Sequence, residues 1–417
     1  MSDSADTRVL GFFSLLALGL NGIIGVGIFF APSEVGGLVP GRAGIWVYAL
    51  TALALLPVAA AYAILGSRFD EDGGPYVWAR AAFGPTAGFA VGWVAYVSAL
   101  FSTSAVVSGL SLHAGPLLGF SSEVMQRVFA ALSVLVLSLV AASGLEPSAR
   151  VWSGVTILKL LPLLLLVALF FLSGAAPPAL PGPRGGSFAR AALVVVFATQ
   201  GFEIVPVPAG NARRGARSVP AATVLSLALA ALLYVVLHAA CVAAVPDLAG
   251  SRAPLVDAAT ALGGGRAGAI VALGTNVSAL GIAFGMFAMS PRYLAALGRA
   301  DGLGPWVARE DRRRVPQRAL WLTSAFVLVA VVSGKLMELF ALSSVAVLTQ
   351  YAVSISALTV LAVRGQRGLA LRHLWPAPLA LVVVGLVAWA AKPAELVVGA
   401  AVLGVGAVLL ALRRHRR

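Results

Sequence analysis

Charge is scarce in this chain, and cysteine nearly absent. Of 417 residues, 60% are hydrophobic and only 11% charged, where a soluble domain carries about 25% charged residues. So apolar a chain has no means of covering its surface in water, which excludes the soluble classes and implies a polytopic membrane protein. The single cysteine, Cys241, excludes a disulfide framework and a cysteine-based metal site. No Walker sequence, no His-x-x-x-His and no Gly-x-Ser-x-Gly occurs. No enzyme constellation, metal or cofactor is therefore expected. The first residues lack a basic n-region and a small-residue cleavage site, so no cleavable signal peptide is expected.

What the chain has in plenty is long apolar segments. Twelve of them, each near the ~20 residues needed to cross a bilayer, fall at about 11–35, 41–66, 86–112, 124–143, 149–173, 187–209, 218–245, 268–298, 317–334, 337–363, 373–391 and 394–412. The loops are short. The longest polar ones, 67–85 and 299–316, lie on one side, and no soluble domain fits anywhere. A net charge of +14 raises the question of nucleic acid. Its placement answers it: with the N-terminus inside, 21 Lys/Arg fall in cytoplasmic segments and 8 outside, with Lys159 within a span. That bias sets orientation by the positive-inside rule. It predicts cytoplasmic N- and C-termini, contact with anionic lipids and no nucleic-acid partner.

Two of the segments are interrupted. Residues 22–29 read Gly-Ile-Ile-Gly-Val-Gly-Ile-Phe. Each glycine in a helix interior costs roughly 1 kcal/mol relative to alanine, and a break inside hydrocarbon frees backbone groups that lipid cannot satisfy. The second interruption, Phe197-Ala-Thr-Gln-Gly-Phe-Glu203, is followed by Pro206, Pro208 and Gly210. Broken segments in corresponding positions of two halves point to a transporter's central binding site. The Pro/Gly-rich loop 175–186 separates five spans from the next five. An odd number per half requires the second half to be inverted. The expected organisation is a single transmembrane domain, with repeats at 11–173 and 187–363 and an appended helix pair at 373–412.

The residues from Leu18 to Phe29 resemble the first-helix signature of the amino acid–polyamine–organocation (APC) permeases. Gly73-Gly-Pro-Tyr76, Phe83-Gly-Pro85 and Gly88-Phe-Ala-Val-Gly-Trp93 resemble the family's passage between helices 2 and 3. The run from Phe197 to Arg213, continuing into Ser218-Val-Pro220, resembles its sixth-helix passage. Ser290-Pro-Arg-Tyr293 and Gly298 to Pro305 resemble the loop after helix 8. The matches keep the family's order over 18–305; beyond 320 only hydropathy agrees. Asn211 stands where the family often has Glu. The resemblance implies an all-α, five-plus-five inverted-repeat (LeuT-like) fold with broken helices 1 and 6, and alternating access without catalysis.

Unwinding one turn at the first break exposes the N–H groups of Val26, Gly27 and Ile28, which begin the next half-helix. A helix start carries positive partial charge and unsatisfied donors, which suit a carboxylate. The carbonyls around Ile23 and Ile24, beside Gly25, suit an ammonium, and those of Phe197 and Ala198 are placed to share it. A zwitterion thus matches the two breaks without charged side chains. The alternative is that the glycines serve close helix packing. The resemblance makes Phe197 an aromatic that closes over the substrate. Ser98, Ser102, Thr103, Thr199 and Gln200 are candidates for the side-chain pocket, although span Ser and Thr often bond only their own backbone.

Two charges lie deep in spans, and intramembrane ionisable groups are functional hypotheses by default. Lys159 matches the family's fifth-span lysine, which stands where sodium-coupled relatives hold the ion. It either carries a coupled proton or stays protonated and braces the first helix. Glu203 matches a glutamate that couples protons in some members; the alternative is a structural bond to the unwound backbone. His238 reads as a core histidine or a proton relay. Asp70-Glu71-Asp72 reads as a solvated loop or a gate pairing with Arg68 or Arg80. The leading reading is a secondary transporter of small or neutral amino acids in a cell inner membrane, as proton symporter or exchanger (antiporter). An amine or polyamine transporter and a non-transporting nutrient sensor are the alternatives. Monomer and homodimer both fit.

Overall fold

The computed structural model describes residues 10–25, 27–120, 122–144, 149–178, 187–299, 303–313 and 315–414. Val26 of the expected site and residues 179–186 lie outside them. In chain order the helices are α1 (Phe12–Ile23), α2 (Gly27–Leu38), α3 (Arg42–Gly66), α4 (Pro75–Phe83), α5 (Pro85–Leu117), α6 (Glu123–Ala142) and α7 (Ala149–Ser173). The second half holds α8 (Ser187–Thr199), α9 (Gly215–Ala244), α10 (Pro254–Arg299), α11 (Pro305–Ala308), α12 (Gln317–Ser333) and α13 (Leu336–Val363). Helices α14 (Ala377–Trp389) and α15 (Pro393–Arg414) follow.

Eight of the described helices are long and apolar enough to cross a bilayer, and the α1–α2 pair is bent by 46° at its break. Three shorter apolar helices, Leu158–Ser173, Phe188–Thr199 and Gln317–Ser333, complete the twelve expected segments. The described residues are nearly all helical, as expected for a polytopic membrane fold. Helices matched by order in the two halves touch: α3 on α9, α5 on α10, α6 on α12, and α2 on α8. The glycines 263–265 form a bend within α10, where Gly264 has φ +78° and two helical stretches meet.

The sequence pattern explains which faces turn outward. On α7, Leu158, Leu161 and Leu164 are about half exposed while Lys159, Leu163 and Leu166 are fully buried. A leucine stripe at three-residue spacing faces lipid, and the opposite face meets α1 and α10. Where helices cross closely, small residues make room. A Cβ on Gly274 of α10 would run into Pro162 of α7.

The appended pair is anchored, not loosely attached. Trp93 of α5 donates its indole N–H to the Val402 carbonyl of α15 (2.8 Å), and its ring lies where a Cβ on Gly406 would sit. Arg190 of α8 makes two 2.7 Å bonds to the Glu395 carboxylate at the start of α15. Their side chains are only 20% and 7% exposed, so this bidentate pair ties α15 to the first turn of α8.

Candidate functional site

The two breaks face each other. A Cβ on Gly27 would lie 2.7 Å from the Ala198 Cα and 3.3 Å from the Phe197 ring. Gly201, at φ +128°, presses its α-carbon against the backbone of Gly22 and Ile23. Only glycine serves there, because a side chain is disfavoured by both the dihedral and the space. Gly25 differs: its Cβ would make an ordinary 3.6 Å contact with Ile282 of α10. Gly22, Gly27 and Gly201 therefore carry the close packing, and Gly25 is the glycine of the break that packing does not demand.

The freed carbonyls at the end of α1 are met by distant side chains. Lys159 donates from Nζ to the Asn21 carbonyl (2.9 Å) and to the Ile24 carbonyl (2.6 Å). It is fully buried. A cation at a helix C-terminus is favoured by the partial negative charge there. Tyr234 of α9 donates to the Ile23 carbonyl (2.8 Å), which also accepts the Gly25 N–H (2.7 Å). The Ile23 oxygen thus has both lone-pair directions used, while the Ile24 oxygen has one side-chain donor. On the far side, α2 begins at Gly27, and the first N–H groups of a helix, here those of Gly27 and Ile28, lack a partner within the helix itself.

The second break is built otherwise. Helix α8 stops at Thr199, and short 3₁₀ turns at Phe202–Ile204 and Ala209–Asn211 replace the rest of the expected span. Pro206 and Pro208 cannot continue a helix. The Glu203 carboxylate accepts the Gly201 N–H (2.8 Å) and the Tyr351 hydroxyl of α13 (3.1 Å). Tyr62 meets Phe202 and Tyr351 edge to face and Phe202 lies tilted on Tyr351, with centroids 5.5–6.0 Å apart.

Of the five polar pocket candidates, three join one cluster. The Ser343 hydroxyl of α13 donates to Gln200 Oε1 (3.0 Å) and lies 2.7 Å from the Ser102 hydroxyl of α5. Ser98 donates weakly to the Ser343 carbonyl (3.4 Å). Thr199 bonds the carbonyls of Val195 and Val196, and Thr103 that of Ala99, each within its own helix. Phe197 stacks on Phe340 of α13, centroids 4.0 Å apart.

Ser343, Tyr234 and Tyr351 were missed by the sequence reading. A signal existed for the tyrosines. Only seven occur in the chain, and a phenol inside a span needs a partner for its hydroxyl. Nothing local marked Ser343. His238 stacks on Tyr48 (4.7 Å) with neither ring nitrogen bonded among the described residues. Cys241 is buried, its thiol 3.5 Å from the Pro254 carbonyl.

The acidic run 70–72 ties loops together. Asp72 accepts from the Gly210 N–H (3.0 Å) and the Asn211 amide (2.9 Å), so the loop contact at position 211 is made with Asn as donor. Glu71 pairs with Arg367 (3.1 Å), and Arg68 meets His373 (3.1 Å). Leu10, just before α1, bonds Asn211 and Arg213 through its backbone (3.0 and 2.7 Å), joining the entry of the first span to the exit of the sixth.

A family model described as amino acid permease matches residues 10–409. An uncharacterized transporter of Mycobacterium tuberculosis is 28% identical over 415 residues, covering 98% of this chain and 91% of that protein. A branched-chain amino acid permease of Bacillus subtilis is 28% identical over 339 residues, 75% of this chain and 72% of its own length. An arginine/ornithine antiporter of Pseudomonas aeruginosa is 26% identical over 345 residues, 78% of this chain and 71% of its own.

Proposed function

The chain belongs to the amino acid permease family and is a membrane transporter of amino acids, and from that premise we propose that it carries small neutral amino acids by alternating access, with the substrate's backbone held between the two breaks. The carrying observation is the pair of breaks in direct contact, each leaving main-chain groups that hydrocarbon would not satisfy. The N–H groups of Val26, Gly27 and Ile28 take the carboxylate. The ammonium is taken by the Ile24 carbonyl together with those of Phe197 and Ala198, since the Ile23 oxygen is engaged by Tyr234 and Gly25. Phe197 covers the bound molecule. A cationic side chain finds no counter-charge in this set, because Glu203 is already turned to Gly201 and Tyr351. An amine without a carboxylate would leave the α2 donors unused.

Lys159 supports either coupling mode. As a permanent brace it holds α1 against α7 and suits an exchanger. As a proton carrier it loosens the Asn21 and Ile24 bonds on releasing its proton and suits a symporter. The repeats are read at 11–173 and 187–363, the termini as cytoplasmic, and the compartment as a cell inner membrane, from the basic bias of the loops. The test is uptake of an amino-acid panel by protein reconstituted in liposomes, with and without an inward proton gradient. Accumulation only with the gradient establishes symport. Uptake only against internal amino acid establishes exchange. Ligand binding with no flux in any condition would return the protein to the sensor reading.

A further inference from the structure

Resting on the amino acid transport proposed above, the structure assigns side-chain selectivity to Gln200, and we infer that the preferred substrates are neutral amino acids whose side chain bears a hydroxyl or a carboxamide. Gln200 is the first residue past α8. Its neighbours on one side, Phe197 and Ala198, touch Gly27, and on the other side Gly201 lies on Gly22 and Ile23. The side chain therefore springs from the segment that borders the first break.

One end of that side chain is fixed. Its Oε1 accepts from Ser343, which in turn is hydrogen-bonded to Ser102 (3.0 and 2.7 Å). The other end is not: Nε2 is buried and has no hydrogen-bond partner among the described residues. A buried amide left without a partner is destabilising, and such groups are nearly always satisfied in native proteins. Rotating the amide by 180° only exchanges which end is orphaned, so the Gln200 amide keeps one polar atom without a partner among the described residues either way.

An aliphatic side chain would aggravate this cost, whereas a hydroxyl or carboxamide offers both an acceptor and a donor. Ionic side chains are disfavoured, since the Gln200–Ser343–Ser102–Ser98 cluster contains no charge. Sites built to hydrogen-bond a substrate group reject analogues lacking it strongly, by factors up to about 10⁴–10⁵, whereas apolar pockets distinguish one methylene by only about 10–200-fold. Selectivity here resides in a group that an apolar substrate leaves unpaired.

The experiment measures uptake of serine, threonine, asparagine and glutamine against alanine, valine and leucine, by the full chain in liposomes. Ligand-induced shifts in melting temperature of the detergent-solubilised protein give a readout independent of flux. The wild type is expected to favour the hydrogen-bonding set at least tenfold over aliphatic residues of similar size. Gln200→Leu should lower that ratio at least tenfold. Ser343→Ala, which frees the anchored end of Gln200, should lower it by less, and serves as the second variant if Gln200→Leu does not fold. A wild type that prefers valine or leucine, or variants that fold and keep the ratio, would overturn the inference while amino acid transport stands. Absence of uptake and binding for every amino acid would instead sink the transport reading itself.

Discussion

At the first break, helical structure stops at Ile23 and resumes at Gly27, and the carbonyls it frees are bonded by Lys159 and Tyr234, side chains 138 and 211 residues away in sequence from their acceptors. At the second, α8 ends at Thr199 and no α-helix resumes before Gly215; the freed Gly201 N–H is taken by Glu203, two residues on. One break is held from outside by α7 and α9, the other largely from within. A segment satisfied by remote groups moves only when those groups let go, so the first break is the one wired to the rest of the bundle. A segment satisfied locally keeps its shape while it shifts as a unit. Among the described residues Tyr351 is the single side chain from another helix bonded to Glu203, and Leu10 links the two segments through backbone at Asn211 and Arg213.

The comparison can be broken most severely where the breaks touch. Gly201→Ala places a methyl on the Gly22 and Ile23 backbone in a left-handed conformation that alanine resists. It should abolish folding, read as loss of a monodisperse peak in detergent; a well-folded variant would mean that the breaks do not need this contact. Lys159→Met comes next. It removes two charge-assisted bonds from buried carbonyls, each worth about 1.5–3 kcal/mol, and should lower the melting temperature markedly and stop proton-driven accumulation. If counterflow persists in that variant, the lysine is a coupling group rather than a structural requirement of the carrier.

Glu203→Gln is a milder change, because the amide oxygen still accepts from Gly201. A cost near 1 kcal/mol is expected, with the pH dependence of transport intact if the carboxylate only holds the turn. Loss of pH dependence in a stable variant would transfer the proton to Glu203 and make the second break the coupled one. Gly25→Ala should barely affect stability, given the ordinary 3.6 Å contact it would make, yet impair uptake, since its methyl enters the unwound turn. Normal uptake would place the substrate elsewhere.

The weakest effect is expected at Asp311, a water-side counterpart of Glu203. Its carboxylate accepts from the Gln317 amide and from the N–H groups of Val315 and Arg313 (2.9, 2.9 and 2.8 Å). Those bonds, that of Gln317 foremost, hold its pKa below the ordinary carboxylate value. A carboxyl held low in the folded state stabilises above its unfolded value of about 4 and loses that contribution as pH falls. Protection of the Val315 and Arg313 amides, taken relative to their intrinsic exchange rates, should therefore fall only in acid, and Asp311→Ala should lower it at neutral pH. Protection unchanged in both cases would show that the carboxylate does not hold the loop.

Much of this was readable in one dimension. Twelve apolar segments match the helices because hydropathy over ~20 residues is a local property. Both interruptions are written in glycine and proline, which act on their own backbone. Lys159 and Glu203 stood out because charge is so rare here. What stayed hidden were the pairings: Ser343 with Gln200, Tyr234 with Ile23, Tyr351 with Glu203. Each joins residues more than 140 apart, and nothing in the local pattern records a partner that distant. The division of labour among the glycines was hidden too, since Gly25 and Gly27 look alike until Ala198 and Ile282 are in place around them.

The sequence by itself determined that the chain crosses a membrane, where it crosses, and that two crossings are broken, because hydrocarbon punishes every polar or unpaired group according to local composition alone. Only the tertiary structure decided how those breaks are satisfied. A freed carbonyl accepts whichever donor the packing brings within 3 Å, and which helix supplies it depends on the arrangement of the whole bundle.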